Sequence, residues 1–331
     1  MKRAKFSLLL FALAFGGNCA SARQAAEHSG RSSDIRNFAV EEKSSGGNEV
    51  SLWPEGLTIQ RPESDKPEEV GTGSRLVAGR PWTWVTYVSR PTMTIYPPKG
   101  QTTRAAILVL PGGGYIALAM DLEGKEICDW ITREGMTCIV LKYRVPQTWR
   151  HGHAGIEEAP KVQLPLQDAQ RAIALLRYRA SSYGIDPQKI GVIGFSAGGH
   201  LAAAVSNAEN CAYEPVDAAD RESLRPNFAI LLYPGHLWAE KSPKSVLTLS
   251  PWVEISAHAP PTLLIHAMND PTDNVRHSIA YGLALHDAGV PVDMRFYAEG
   301  GHAFGIRPTS APITTEWPGL VLQWLKNLNV Q

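Results

Sequence analysis

The chain is poor in the features that mark several functional classes. It has four cysteines in 331 residues and no C-x-x-C spacing, which argues against a disulfide scaffold and against a thiolate zinc site. Its 32 Lys+Arg balance its 32 Asp+Glu, so no charge excess marks a footprint for nucleic acid or anionic membrane. No later stretch is continuously apolar for the roughly 18 residues that a membrane span needs. Its one run of three glycines is followed by no Lys-Ser or Lys-Thr, and no G-x-G-x-x-G occurs. No phosphate cradle, and no cofactor, is expected.

What is present begins with residues 1–22, which read as a secretory signal. Lys2, Arg3 and Lys5 precede an apolar run from Phe6 to Phe15, and Ala20-Ser21-Ala22 forms a small-residue cleavage site. Cleavage removes those three basic residues, taking the 32 Lys+Arg down by three to 29 against 32 Asp+Glu. It also removes Cys19 and leaves Cys128, Cys138 and Cys211, among which one pair could still bridge in an oxidising compartment. A lipid anchor at Cys19 is the rival reading, but Gly16-Gly17-Asn18 fits the usual leucine-small-small pattern poorly. The expected location is secreted or periplasmic.

Residues 23–77 are rich in Ser, Gly, Glu and Pro and show almost no apolar period, so they read as an irregular or flexible segment. Only Val50–Trp53 and Leu57–Ile59 offer anything to dock. From residue 78 to 331 the pattern is that of one packed domain. Trp82–Val88 and Thr92–Tyr96 alternate as two successive strands would. Six short apolar runs follow: Ala105–Leu110, Thr137–Tyr143, Ile190–Phe195, Phe228–Tyr233, Thr262–His266 and Val292–Tyr297. Helical patterns separate them at Gly124–Glu134, Gln167–Tyr183, Ala197–Asn207 and Asn274–Ala288, with a last one at Pro318–Leu328. Continuous apolar runs joined by helices predict an α/β fold, with a mostly parallel central sheet covered on both faces and antiparallel strands at its start.

Chemistry enters where Ile190–Phe195 runs into Gly194-Phe195-Ser196-Ala197-Gly198-Gly199-His200. A G-x-S-x-G match alone is weak, and a tight glycine turn with Ser196 as helix N-cap reads equally well. Between a strand and a helix, however, the same residues can lift a strained serine hydroxyl to the top of a sheet. Such a serine needs a base, and the base needs a carboxylate to orient it. Asp270 and His302 follow two later strands, in the order Ser, Asp, His. Asp273 lies in the same loop as Asp270, which is favoured because it sits closer to the strand end. His200 reads as a packing or capping residue and His266 as a core histidine. Pro111-Gly112-Gly113-Gly114-Tyr115 can turn its amides toward a developing oxyanion, with the Ala197 amide completing the hole.

These segments resemble the α/β-hydrolase superfamily and, within it, secreted acetylxylan esterases and related carbohydrate esterases. The likeness runs from Trp53 to Leu328 through Leu52-Trp53-Pro54, Leu110–Tyr115, Leu141–Pro146, Gln167–Ala172, Gly194–His200 and Gly300–His302. It implies Ser196, Asp270 and His302 as the triad and Gly113, Gly114 and Ala197 as oxyanion donors, with no metal. Tyr115, at the end of the glycine loop, is the candidate substrate contact. Two positions depart from the family: Asp121-Leu122-Glu123-Gly124 stands where His-Glu-Gly is usual, and Ala303 where glycine follows the histidine. Trp149, His151 and His153 lie in an insertion, where a His-x-His alone is weak evidence for metal. The implied substrate is an acylated carbohydrate or a small ester, cleaved to release short, above all acetyl, groups. Rival readings are a lipase-like carboxylesterase, a prolyl-oligopeptidase-like peptidase, and an inactive hydrolase fold that only binds carbohydrate.

Overall fold

The computed structural model describes residues 47–62, 64–145 and 162–331. Residues 1–22, expected to be a leader, and the insertion with Trp149, His151 and His153 lie outside the described residues. The strands are β1 (Asn48–Ser51), β2 (Glu69–Thr72), β3 (Thr83–Thr86), β4 (Thr92–Tyr96), β5 (Ala106–Leu110), β6 (Ala117–Leu118), β7 (Thr137–Lys142), β8 (Ile190–Phe195), β9 (Ala229–Leu232), β10 (Thr262–Ala267) and β11 (Val292–Tyr297). The helices are α1 (Glu126–Arg133), α2 (Gln163–Tyr178), α3 (Ala197–Asn207), α4 (Arg276–Asp287) and α5 (Ile313–Asn327).

An eight-stranded sheet runs in the order β1-β4-β7-β5-β8-β9-β10-β11. β1 and β4 are antiparallel at its start, and from β7 onward neighbours are parallel. Every residue of β5, β8, β9 and β10 is buried, as unbroken apolar runs covered on both faces require. On one face Ile173 and Leu176 of α2, Leu201 of α3 and Leu285 of α4 pack on the sheet. Ile127 and Ile131 of α1 and Trp317 and Val321 of α5 cover the other. The carboxyl ends of β5, β8 and β10 thus open onto one rim, where loops can carry chemistry.

The structure corrects several expectations. Between residues 47 and 77 most of the described backbone is irregular, as expected, but two short strands, β1 and β2, tie the segment into the domain. β1 pairs with β4, Asn48 opposite Ile95. Just after it the Trp53 indole donates to Asp168 Oδ1 at 2.9 Å, and Arg171 Nε to the Leu52 carbonyl at 2.9 Å. A four-residue strand held by backbone pairing, with buried hydrogen bonds from distant residues just after it, leaves no apolar period to read. Trp82–Val88 and Thr92–Tyr96 are not neighbours in one sheet: β3 joins β2 and β6 in a separate three-stranded sheet, and β4 enters the main one. Helix α5 begins at Ile313, five residues before Pro318, which lies inside it. Cys128 and Cys138 form a disulfide between α1 and β7, and Cys211 is free.

Candidate active site

The turn from β8 into α3 forces Ser196 into a left-handed conformation, φ +53° and ψ −119°, a strain that persists only where surrounding packing over-determines it. Close packing supplies that here. A Cβ on Gly198 would lie 2.0 Å from the Leu110 carbonyl oxygen, and one on Gly194 would lie 2.1 Å from that of Gly198. With glycine at both positions α3 can seat against the end of β5, and the Ser196 hydroxyl reaches the rim.

Two loops meet it there. His302, in the loop after β11, places Nε2 3.0 Å from Ser196 Oγ and Nδ1 2.7 Å from Asp270 Oδ2. Asp270, in the loop after β10, accepts on its other oxygen from the amides of Thr272 and Asp273, at 2.8 and 2.9 Å. Burial pushes the Asp270 carboxyl upward, but bonds from His266 and His302 and the charge of His302 outweigh it and hold the group well below the usual carboxylate range. Asp273 sits on the opposite side of the ring, its Oδ2 3.3 Å from Ser196 Oγ and 3.6 Å from His302 Nε2. Of the two aspartates, only Asp270 meets Nδ1, the nitrogen that fixes the tautomer. Burial lowers the His302 pKa, yet the bond to Asp270 and the charges of Asp273, Asp270 and Glu123 more than reverse this and raise it.

The glycine loop borders the same hydroxyl. Gly113 has φ +136° and Gly114 φ +64°, and a Cβ on Gly113 would come within 2.0 Å of the Ala117 carbonyl oxygen. The Gly112 amide donates to Glu123 Oε2 at 2.8 Å. It is therefore committed, whereas among the described residues no bond from the amides of Gly113, Gly114 or Ala197 is found. Gly113, Gly114, Glu123, Ser196 and His302 all line a cleft of about 210 Å³, with Arg75 and Trp82 of the β2–β3 hairpin on one wall.

Tyr115 corrects another expectation, for it does not reach the cleft. It is fully buried, and its hydroxyl lies 2.8 Å from His200 Nδ1, so the side chain braces the loop from behind. Burial, then the charge of His277, brings the His200 pKa down to about 3, which keeps that ring neutral at physiological pH. Three contributors escaped the sequence reading. Glu123, 2% exposed, accepts from the Gly112 amide and, at 2.9 Å, from the Tyr233 hydroxyl. Burial raises its pKa against the opposing charge of His302. The Tyr233 ring packs 5.0 Å from that of His302. His266, read as a core residue, is buried and also reaches Asp270 Oδ2 at 3.3 Å, while its Nδ1 meets Ser278 at 2.8 Å. No local motif announces these three, because each acts from a different strand or turn. Of the three only Glu123 offered a signal, as one of two acidic residues in the departing Asp121–Gly124 stretch.

The BD-FAE family profile matches residues 93–230. An acetylxylan esterase of Xylanibacter ruminicola is 31% identical over 232 residues, covering 64% of this chain and 43% of that protein. An endo-1,4-beta-xylanase B of Butyrivibrio fibrisolvens is 26% identical over 244 residues, covering 69% of this chain and 36% of that protein. The chain therefore spans less than half the length of these curated relatives. A crystal structure of an acetyl ester-xyloside bifunctional hydrolase from Caldicellulosiruptor lactoaceticus superposes with a TM-score of 0.64 at 28% identity, covering 86% of this chain and 97% of that one. The parallel sheet, the strand-to-helix turn at Ser196 and these likenesses agree: the chain belongs to the α/β-hydrolase superfamily and is esterase-like.

Proposed function

We propose that the protein is an exported serine hydrolase of carboxylic esters that removes short acyl groups, acetyl foremost, from a carbohydrate. The observation that carries this reading is the hydrogen-bonded line from Ser196 Oγ through both nitrogens of His302 to Asp270. Ser196 Oγ attacks the ester carbonyl while its proton passes to His302 Nε2. The amides of Gly113, Gly114 and Ala197 receive the oxyanion. The carbon–oxygen bond to the alcohol then breaks, and His302 returns the proton to the departing oxygen. Water repeats the sequence on the acyl-serine and frees the acid. Asp270 stays ionised and stabilises the imidazolium.

A cleft of about 210 Å³ supports a short acyl group, and the relatives' names support a carbohydrate ester. The leader of residues 1–22 and the Cys128–Cys138 disulfide support export, since disulfides persist mainly in oxidising compartments. The test is kcat/KM for p-nitrophenyl acetate, butyrate and octanoate, beside acetate release from acetylated xylan. Each methylene forced into a full pocket costs about 1–3 kcal/mol, so rates should decline steadily along the series. A rise toward octanoate would reject the reading in favour of a lipase-like enzyme.

A further inference from the structure

Asp273 is a carboxylate that the steps above do not use, although it touches both reacting groups. Its side chain is 10% exposed, and its Oδ2 lies 3.3 Å from Ser196 Oγ and 3.6 Å from His302 Nε2. Behind it the chain leaves no spare room, for a Cβ on Gly235 would come within 2.6 Å of Asp273 Oδ1. The carboxylate is therefore held at the nucleophile by packing. Among the described residues the Ser196 hydroxyl is the only neutral donor within reach of it, and that hydroxyl has a single proton, which the reaction passes to His302 Nε2. Asp270, by contrast, keeps the Thr272 and Asp273 amides throughout.

A negative group in that place opposes the charge that develops on the substrate as the oxyanion forms. The opposition falls if the substrate itself brings a donor. The position for such a donor follows from the reaction. The departing oxygen must come within hydrogen-bond reach of His302 Nε2 to receive its proton, which puts it beside Asp273 Oδ2. In an ester of a vicinal diol, the free hydroxyl on the neighbouring carbon lies about one hydrogen-bond length from the departing oxygen. That hydroxyl can donate to Asp273, and a hydrogen bond to a charged acceptor is stronger than one between neutral groups.

We propose that Asp273 is a specificity residue that accepts a hydrogen bond from the hydroxyl next to the ester on the alcohol portion of the substrate, so that monoesters of vicinal diols, as in sugars, are favoured over esters without that hydroxyl. This rests on the reading of Ser196 as nucleophile and His302 as proton carrier. It holds for any vicinal diol, so it can be scored without a carbohydrate. A site built to bond a hydroxyl rejects analogues lacking it because its polar group is left unpaired.

The experiment compares kcat/KM for ethylene glycol monoacetate and 2-methoxyethyl acetate, which differ by methylation of the neighbouring hydroxyl. The parent enzyme should prefer the free diol by about tenfold or more, and Asp273→Ala should collapse that ratio toward one. Asp273→Asn, whose amide oxygen still accepts, should keep an intermediate ratio, a graded response that general damage to the triad would not produce. Absence of a preference in the parent enzyme, or equal losses on both esters in the variants, would overturn the proposal and leave the serine-esterase reading standing. Hydrolysis of both small esters without acetate release from acetylated xylan would instead overturn the carbohydrate reading, with the ratio still scoring Asp273. Failure of the parent enzyme to hydrolyse any ester would overturn both.

Discussion

Three carboxylates act on His302, and each does something different to it. Asp270 bonds Nδ1 and fixes which nitrogen faces Ser196. Asp273 and Glu123 contribute charge alone, and both raise the pKa of the ring against the effect of burial. The histidine serves as base only when neutral, so a raised pKa moves the acid limb of kcat/KM to higher pH. The profile should show one ionisation with a midpoint above the unperturbed value of about 6.5. Asp273→Asn should move that midpoint down, because one of the charges favouring the imidazolium is gone; an upward move would contradict the assignment. Turnover should separate the aspartates. Asp270→Asn is expected to lower kcat by three to four orders of magnitude, roughly what losing the orienting group costs in such triads, and Asp273→Asn far less. The reverse ranking would make Asp273 the orienting acid despite its position beside Nε2.

Loops and turns explain what could be read from the chain and what could not. The turn between β8 and α3 carries Gly194 and Gly198 because backbone passes where side chains would stand, and the same constraint makes the motif visible in sequence. The glycine loop obeys it too. Gly113→Ala places a methyl against the Ala117 carbonyl oxygen and also demands φ +136° of a non-glycine residue. The loop must shift, and kcat should fall by about 10²–10³, the scale of losing one oxyanion donor. Far-ultraviolet circular dichroism should change little, since the loop lies outside the helices and main-sheet strands; a fully active variant would contradict its role. Strands β8 and β11 and helix α3 match their sequence expectations to the residue; a buried apolar run and a glycine turn mark β8 and its junction with α3, and Gly289 and Gly300 flank β11. β1 did not announce itself, since Asn48–Ser51 alternates only between half-buried and exposed and its anchoring comes from distant Asp168 and Arg171. The bond between Glu123 and Tyr233 was equally silent: it spans 110 positions, and only the folded sheet brings the two together. Tyr115 misled for the opposite reason, because a residue beside a functional loop can point into the core.

At the scale of the whole molecule, the sheet and its two helical layers act as a fixed frame for loops that arrive from β5, β8, β10 and β11. The Cys128–Cys138 disulfide ties α1 to β7 across ten positions, on the face opposite α2 and α3. Closing a loop of that size should contribute about 2–3 kcal/mol. The Cys128→Ala/Cys138→Ala pair is accordingly expected to unfold at lower urea, with a slope at least as steep because the uncrosslinked unfolded chain exposes more surface, and an unaltered midpoint would show the bond to be energetically idle. None of these variants touches the bond-making atom, which belongs to the nucleophile itself. Ser196→Ala removes one oxygen from a buried turn and leaves the frame intact. Acetate release from acetylated xylan and turnover of p-nitrophenyl acetate, measured on the parent and on that variant at equal folded concentration, show whether Ser196 is the nucleophile. A loss of at least about three orders of magnitude on both substrates is expected; activity within about tenfold of the parent would exclude Ser196 as the nucleophile.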